Sequence, residues 1–369
     1  MPGDRPAPSV ADVAAALCDA LPPDWAEPWD RVGLVAGEPS SSVTRALVTL
    51  DATAEAVERA AGAGAGLLVT HHPPFLDMPG AIRRAAGAAG TLEAAIRLGV
   101  AVISMHTNLD RSPRGADALS HALGLEVLGP LERGTEPVSM IVTYVPTDAV
   151  ERVRSAMGEA GAGRLGEYER CAFAAAGTGW FAPRAGARPA IGASADGVPE
   201  ERVEMLAPRG AAAAVVAAAS EAHPYEEPVV FAFDAERARG VARLGRICAW
   251  RSGATVSELA SHVSAVLAAP VRVWGDGARP VSRIAVANGS AGSLMGEATA
   301  RADVLVAGEV RYHDALDACA AGLAIVEAGH DVTEWPLVAV LAEMLREVAP
   351  ALTVHCEQPA RAWWATEER

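Results

Sequence analysis

The stretch "LLVTHHPPF", residues 67 to 75, ends an apolar run in two adjacent histidines and then two prolines. Leu67, Leu68 and Val69 read as an interior strand, because consecutive apolar residues suit a strand covered on both faces. Pro73 and Pro74 stop it, since proline cannot donate to a sheet ladder. His71 and His72 therefore fall at a strand's carboxyl end, where α/β folds build their sites. Taken alone, the pair reads equally well as two loop histidines, one of them hydrogen-bonded in place.

The surrounding sequence repeats the pattern. Strands are expected at "RALVTLD" (45–51), "GLLVTHH" (66–72) and "VAVISMH" (100–106), with helical stretches such as "TAEAVERAAGA" between them. Ser9 stands as a cap before a helix whose Val10, Val13, Leu17 and Leu21 share one face. Ser112-Pro113 opens another, with proline near its tolerated first position. Such βα alternation implies a mainly parallel sheet covered by helices. Residues 135–234 have a different rhythm, strand-helix-strand-strand-helix-strand, which is the ferredoxin-like order. After that the α/β rhythm returns with "VSRIAVANG" (281–289), "ADVLVAG" (302–308), "LAIVEAG" (323–329) and a final helix from about Pro336 to Val348. The expected fold class is therefore α/β: a discontinuous domain, residues 1–134 and 235–369, interrupted by a ferredoxin-like insert at 135–234.

Composition narrows the function. The 369-residue chain is 51% hydrophobic, ample for a core. No apolar run approaches the roughly 20 residues of a membrane span, and the opening "MPGDRPAPSVADVAAALCDAL" lacks a secretory layout; a cytoplasmic protein is expected. All 31 basic residues are arginine, which excludes Schiff-base chemistry and a P-loop lysine. A formal charge of -15 argues against broad nucleic-acid binding. Cys18, Cys171, Cys248, Cys319 and Cys356 form no CxxC pair and read as reduced thiols.

Two further strand ends carry histidine. His106 ends "VAVISMH", and Asp110 follows four residues later; His330 follows "LAIVEAG", and Glu334 comes four residues after it. The sequence places Glu334 in the first turn of the last helix, starting near Thr333, where the dipole favours a carboxylate. Imidazole and carboxylate without thiolate suit zinc, iron, manganese, cobalt or nickel. Six ligands are too many for one tetrahedral catalytic zinc and suit two divalent ions that share bridging groups. Two divalent ions against two carboxylates leave a positive site, which favours an anionic substrate such as a phosphate ester or nucleotide.

At these residues the chain resembles the GTP cyclohydrolase 1 type 2 homologue family, also called the Nif-three-like dinuclear metal-centre proteins. The likeness runs through "WDRVGLVAG" (29–37), "LDATAEAVERA" (50–60), "THHPPF" (70–75), "HTNLD" (106–110), "AGEVRYHDALDA" (307–318) and "VEAGHDVTE" (326–334). It implies two metal ions held by His71, His72, His106, Asp110, His330 and Glu334, and a toroidal homohexamer. The insert resembles the PII- or CutA-like domain of the longer bacterial members. Arg31 where asparagine is usual, Pro74 where an aliphatic residue is common, the loop "ANGSAG" (287–292) and the tail "QPARAWW" depart from the family pattern.

Other residues leave alternatives open. Glu309 is a candidate general base. His313 is either a proton shuttle behind the metals or a helix-start histidine bonding locally. His223 in "HPYEEP" reads better as a turn feeding an edge strand than as a second metal site. Trp363 and Trp364 read as a packing or subunit contact. Two functions remain: a metal-dependent hydrolase of a nucleotide or phosphorylated metabolite, with GTP ring opening what the family name implies, and a metal-loaded regulatory assembly with the insert as sensor or lid.

Overall fold

The computed structural model describes residues 7–82, 87–166, 168–191 and 197–358; Trp363 and Trp364 lie outside the described residues. The chain divides into two compact units, Met1–Arg133 with Gly240–Arg369, and Gly134–Arg239.

The first unit holds two sheets. One runs in the order Gly33–Ala36, Ala101–Ser104, Leu67–His72, Arg45–Asp51, Thr353–Cys356, and all its pairings are parallel except that of Gly33–Ala36. The other runs Arg272–Trp274, Ala324–Glu327, Val304–Ala307, Ile284–Val286, Arg246–Ala249, Glu126–Pro130. Only its middle three strands are mutually parallel, and the outer pairings are antiparallel. A single mainly parallel sheet is thus corrected to two, of which the first alone is mostly parallel. The reason lies partly in the insertion. The chain leaves this unit along Glu126–Pro130 and returns along Arg246–Ala249, and a chain that leaves and re-enters at one sheet edge pairs antiparallel.

The sequence-read cap at Ser9 forms a capping box: Asp12 N–H donates to Ser9 Oγ at 3.1 Å and Ser9 N–H to Asp12 Oδ2 at 2.9 Å. That helix, Val10–Ala20, buries Val10, Val13 and Leu17 against Val48, Leu67 and Ile103 of the first sheet. Leu337, Leu341 and Leu345 enter the same core from the last helix, His330–Val348. Each fully buried leucine of this kind is worth about 1.5–3 kcal/mol. The last helix therefore follows a strand of the second sheet in sequence but packs in the core of the first. It begins at His330, earlier than the Thr333 or Pro336 expected. Pro336 sits in its second turn, where it forgoes the bond to the Val332 carbonyl without ending the helix.

The second unit has one sheet in the order Phe173–Gly179, Val198–Pro208, Thr135–Pro146, Val230–Ala238, every pairing antiparallel. Helices Val150–Glu159 and Ala212–Ala222 contribute Val153, Met157, Val215 and Ala219 to a core with Ile141, Val145, Val203 and Met205. The second strand of this unit is Phe173–Gly179. Both ring nitrogens of His223 are engaged within the protein, Nε2 with the Tyr144 carbonyl at 2.9 Å and Nδ1 with Tyr225 N–H at 3.1 Å, and residues 224–227 form a bend before the edge strand Val230–Ala238. Among the described residues no helix is long and apolar enough to cross a membrane.

Candidate metal centre

Three strand ends of the first unit converge. His71 and His72 finish Leu67–His72; His106 follows the neighbouring parallel strand Ala101–Ser104 and precedes the short helix Thr107–Arg111. His330 opens the last helix just after Ala324–Glu327. Because helices start at or immediately after His106 and His330, Asp110 and Glu334 lie one turn further on, on the same helical face as their histidines.

Donor atoms of these six residues form three overlapping groups, each within 4.8 Å: His71 with His72 and His106, His72 with His330 and Glu334, and His71 with Asp110 and Glu334. Glu334 lies between them, with Oε2 2.8 Å from His72 Nε2 and Oε1 3.1 Å from His330 Nε2 and 3.8 Å from His71 Nε2. Asp110 Oδ2 is 3.7 Å from His71 Nε2. All six residues singled out in the sequence are brought together.

What orients them is behind the rings. The Nδ1 atom of His71 meets the Met105 carbonyl at 3.0 Å, that of His72 meets Asp51 Oδ1 at 2.8 Å, that of His106 meets Asp30 Oδ1 at 2.7 Å, and that of His330 meets Glu309 Oε1 at 3.1 Å. Each imidazole thus has its Nδ1 fixed by an oxygen, leaving Nε2 for the centre. This is the arrangement that fixes tautomer and ring orientation in metal-ligating histidines. Asp30 is held in turn by Thr107 N–H at 3.0 Å, and Asp51 is the register partner of His72 across the parallel ladder.

The electrostatics fit a cation. Burial opposes charge on His72, but Asp51 and Glu334 outweigh it and push the imidazole up to about 10. Glu334 raises His330 to about 9 against the effect of burial, with Glu309 adding to the rise. Burial opposes a charge on His71 too, yet Asp110 and Glu334 raise it. Burial pushes the Asp110 carboxyl up, whereas the surrounding imidazoles hold Glu334 well below its ordinary range despite burial. Burial likewise opposes the charge on Asp30, but His106 and Thr107 bring it down to about 2. Without an ion, protons supply the positive charge that this donor set demands.

Among the buried polar atoms of the described residues that lack a hydrogen-bond partner are His71 Nε2 and Asp110 Oδ1 of this set. Glu334 Oε2 is also without an aligned hydrogen bond despite its closeness to His72, so that 2.8 Å contact is an ion pair of poor directionality. Orphaned donor atoms at the point where four imidazoles and two carboxylates meet are what a metal ion would satisfy.

A model of the Duf34/NIF3 (NGG1p interacting factor 3) family matches residues 8–359. The chain belongs to the DUF34/NIF3 family. It is 38% identical to a Mycobacterium tuberculosis relative named GTP cyclohydrolase 1 type 2 homolog, with 91% of each chain covered, and 35% identical to the Bacillus subtilis protein of that name, with 84% of each covered. Among solved structures it is similar to a Bacillus cereus protein related to NIF3, at 32% identity and a TM-score of 0.62, with 95% of this chain and 96% of that one covered. A Staphylococcus aureus protein is similar at 26% identity and a TM-score of 0.64, covering 96% and 97%.

Within this DUF34/NIF3 chain, the reading from sequence missed Asp30 and Asp51. Asp51 carried a usable signal, since it ends the strand "RALVTLD" beside the one ending in His72. Asp30 carried none beyond its place in "WDRVG", because its partner His106 lies 76 residues away. Glu309 stands against His330 Nδ1 and is exposed on its other side. His313 is exposed on the helix Tyr312–Ala320, its ring edge-on to Tyr312. Arg31, the departure from the usual asparagine, donates from Nε to the Leu76 carbonyl at 3.0 Å and so ties the residue after Asp30 to the loop that follows "HHPPF". The "ANGSAG" loop comes closest of all: a Cβ on Gly289 would lie 2.0 Å from Glu334 Oε1 and 3.1 Å from His330 Nε2.

Proposed function

We propose that this protein is a cytoplasmic metal-dependent hydrolase acting on a nucleotide or another phosphorylated metabolite, with two divalent ions held by His71, His72, His106, Asp110, His330 and Glu334. One observation carries the reading: an oxygen anchors the Nδ1 of all four imidazoles, and the same four residues belong to overlapping donor groups with Asp110 and Glu334. His71, His72 and Glu334 each belong to two of the three donor groups, which supports two ions sharing ligands over a single ion. The centre is closed on the His71 side and open on the other, where the His330 side chain is 37% exposed. Structural metal sites close their coordination sphere, and catalytic ones leave a position free.

Divalent ions bound there would supply Lewis acidity and acidify water. The chain's own residues do the rest. Asp30, Asp51 and Glu309 accept from Nδ1–H and so keep three imidazoles in the tautomer whose Nε2 lone pair is free for a metal. Glu309, with one oxygen on His330 and a largely exposed side chain, is placed to pass a proton between the centre and solvent. The names of the M. tuberculosis and B. subtilis relatives make GTP the first substrate to try. The strand order of Gly134–Arg239 supports reading the insert as ferredoxin-like and PII-like, and we place six copies in a ring.

The test is metal analysis of the purified protein followed by turnover assays on GTP, simple phosphodiesters and a panel of phosphorylated metabolites. Metal-dependent product from one of them, abolished by His330→Ala with Glu334→Ala, is the expected result. Saturable binding across the panel with intact metals and no product would replace the hydrolase with a metal-loaded regulatory protein.

A further inference from the structure

The second unit contains a cavity of about 360 Å³ remote in sequence from every residue of the metal centre. Tyr144, Trp180, Phe181 and Tyr225 present aromatic surface to it, and Glu200, Glu226 and Glu227 bring three carboxylates. Among the described residues no arginine lines it, and none of the three carboxylates is paired with a basic side chain. Glu200 is held in place: Tyr225 donates its hydroxyl to Oε1 at 2.6 Å, while Oε2 lies against Gly179, where a Cβ would fall 2.2 Å away. Glu226 accepts the Arg188 backbone N–H at 2.9 Å, which fixes it at the cavity edge. Burial and the Glu200 carboxylate both raise the Tyr225 phenol, so Tyr225 is the neutral donor of that pair.

We propose that this cavity binds a small organic cation, an ammonium or amidinium carried on an apolar body. Ring faces attract cations through their quadrupoles, and the attraction grows as water is excluded. A fixed carboxylate at one wall supplies the charge-assisted hydrogen bond that orients such a head group. An anionic ligand meets three carboxylates and no counter-charge, so the nucleotide or phosphate chemistry of the metal centre does not fit here. A neutral apolar ligand would leave Glu200 desolvated without compensation.

The test uses the full-length, metal-loaded protein with benzylamine and benzamidine as probes and benzyl alcohol as the neutral isostere, read by isothermal titration calorimetry. Saturable binding of a cationic probe below about 1 mM is expected, with benzyl alcohol at least about tenfold weaker. Glu200→Gln, which preserves shape and can still accept from Tyr225, should weaken the cation about tenfold while leaving benzyl alcohol and the metal content unchanged. Trp180→Ala, at the exposed rim, should weaken it without touching the fold. Equal binding of amine and alcohol, indifference to Glu200→Gln, or no saturable binding of either cation would overturn the proposal. So would a change of oligomeric state in Glu200→Gln without amine binding, since the cation would then be an arginine from a second copy of the chain.

Discussion

Gly289→Ala puts the metal-centre reading at risk with a single methyl group. Gly289 has φ +54, and its added Cβ would stand 2.0 Å from Glu334 Oε1, against the 3.4 Å at which ordinary contact begins. The carboxylate therefore has to retreat by more than about 1 Å. Glu334 is the free end of a side chain, so the fold can accommodate this, but the carboxylate can no longer sit 3.1 Å from His330 Nε2 and 2.8 Å from His72 Nε2. The backbone contributes separately, since a non-glycine residue in the left-handed region costs about 1–2 kcal/mol. Gly99→Ala supplies the control: φ is +65 and nothing lies within 4 Å of its added Cβ. In metal-free protein at neutral pH Gly99→Ala should melt lower by the backbone cost alone, about 2–4 °C per kcal/mol for a unit of this size, and Gly289→Ala by more, because displacing Glu334 also removes the carboxylate that raises His72 and His330. Only Gly289→Ala should then lose bound metal, read by elemental analysis after dialysis, with the ion shared by His72, His330 and Glu334 going first. Full metal content in Gly289→Ala, together with a stability loss matching Gly99→Ala, would refute the placement of Glu334 as a ligand.

Asp30→Asn removes the carboxylate behind His106 and should weaken metal binding about 10–100-fold with little change in fold, as measured by competition with a chromogenic chelator. His72 and His330, raised from an ordinary 6.5 to about 10 and about 9, carry protons at neutral pH when no metal is bound. Their charge therefore stabilises the metal-free fold fully below pH 6.5, and that stabilisation is lost as pH climbs through 9 to 10. Thermal melts of the metal-free protein should fall across that window while metal-loaded melts do not, and metal uptake at pH 7 should release protons, detectable as a buffer-dependent calorimetric enthalpy. Replacing residues 135–234 by a short glycine-serine linker should leave metal content intact; loss of all soluble protein would mean that Gly134–Arg239 shares the other unit's core.

The candidate ligands were legible because each sits at the end of an apolar run, and because a spacing of four puts histidine and carboxylate on one helical face. The same local logic failed where partners are distant in sequence. His106 shows nothing in its neighbourhood of Asp30, and the strand 45–51 does not announce that Thr353–Cys356 will pair beside it. The βα rhythm also reads alike whether strands join one sheet or two. The choice depends on which edge each strand meets, and the antiparallel return at Arg246–Ala249 is set by the insertion. Pro336 misled for a simpler reason: a proline marks the first turn of a helix more often than its second, and here the chain spends a backbone bond to carry His330 and Glu334 on one continuous face.

The last helix has a consequence for how the protein is made. His71, His72, His106 and Asp110 emerge from the ribosome long before His330 and Glu334, with the whole of Gly134–Arg239 synthesised in between. The leucines that cover the first sheet, Leu337, Leu341 and Leu345, arrive on the same late segment. A nascent chain can therefore expose three imidazoles beside an apolar sheet covered only in part, by Val10–Ala20, until one helix delivers both the missing ligands and the rest of the core. On the proposed metal centre, loading and completion of the fold would then be a single late event, and a ribosome stalled before residue 330 would leave neither.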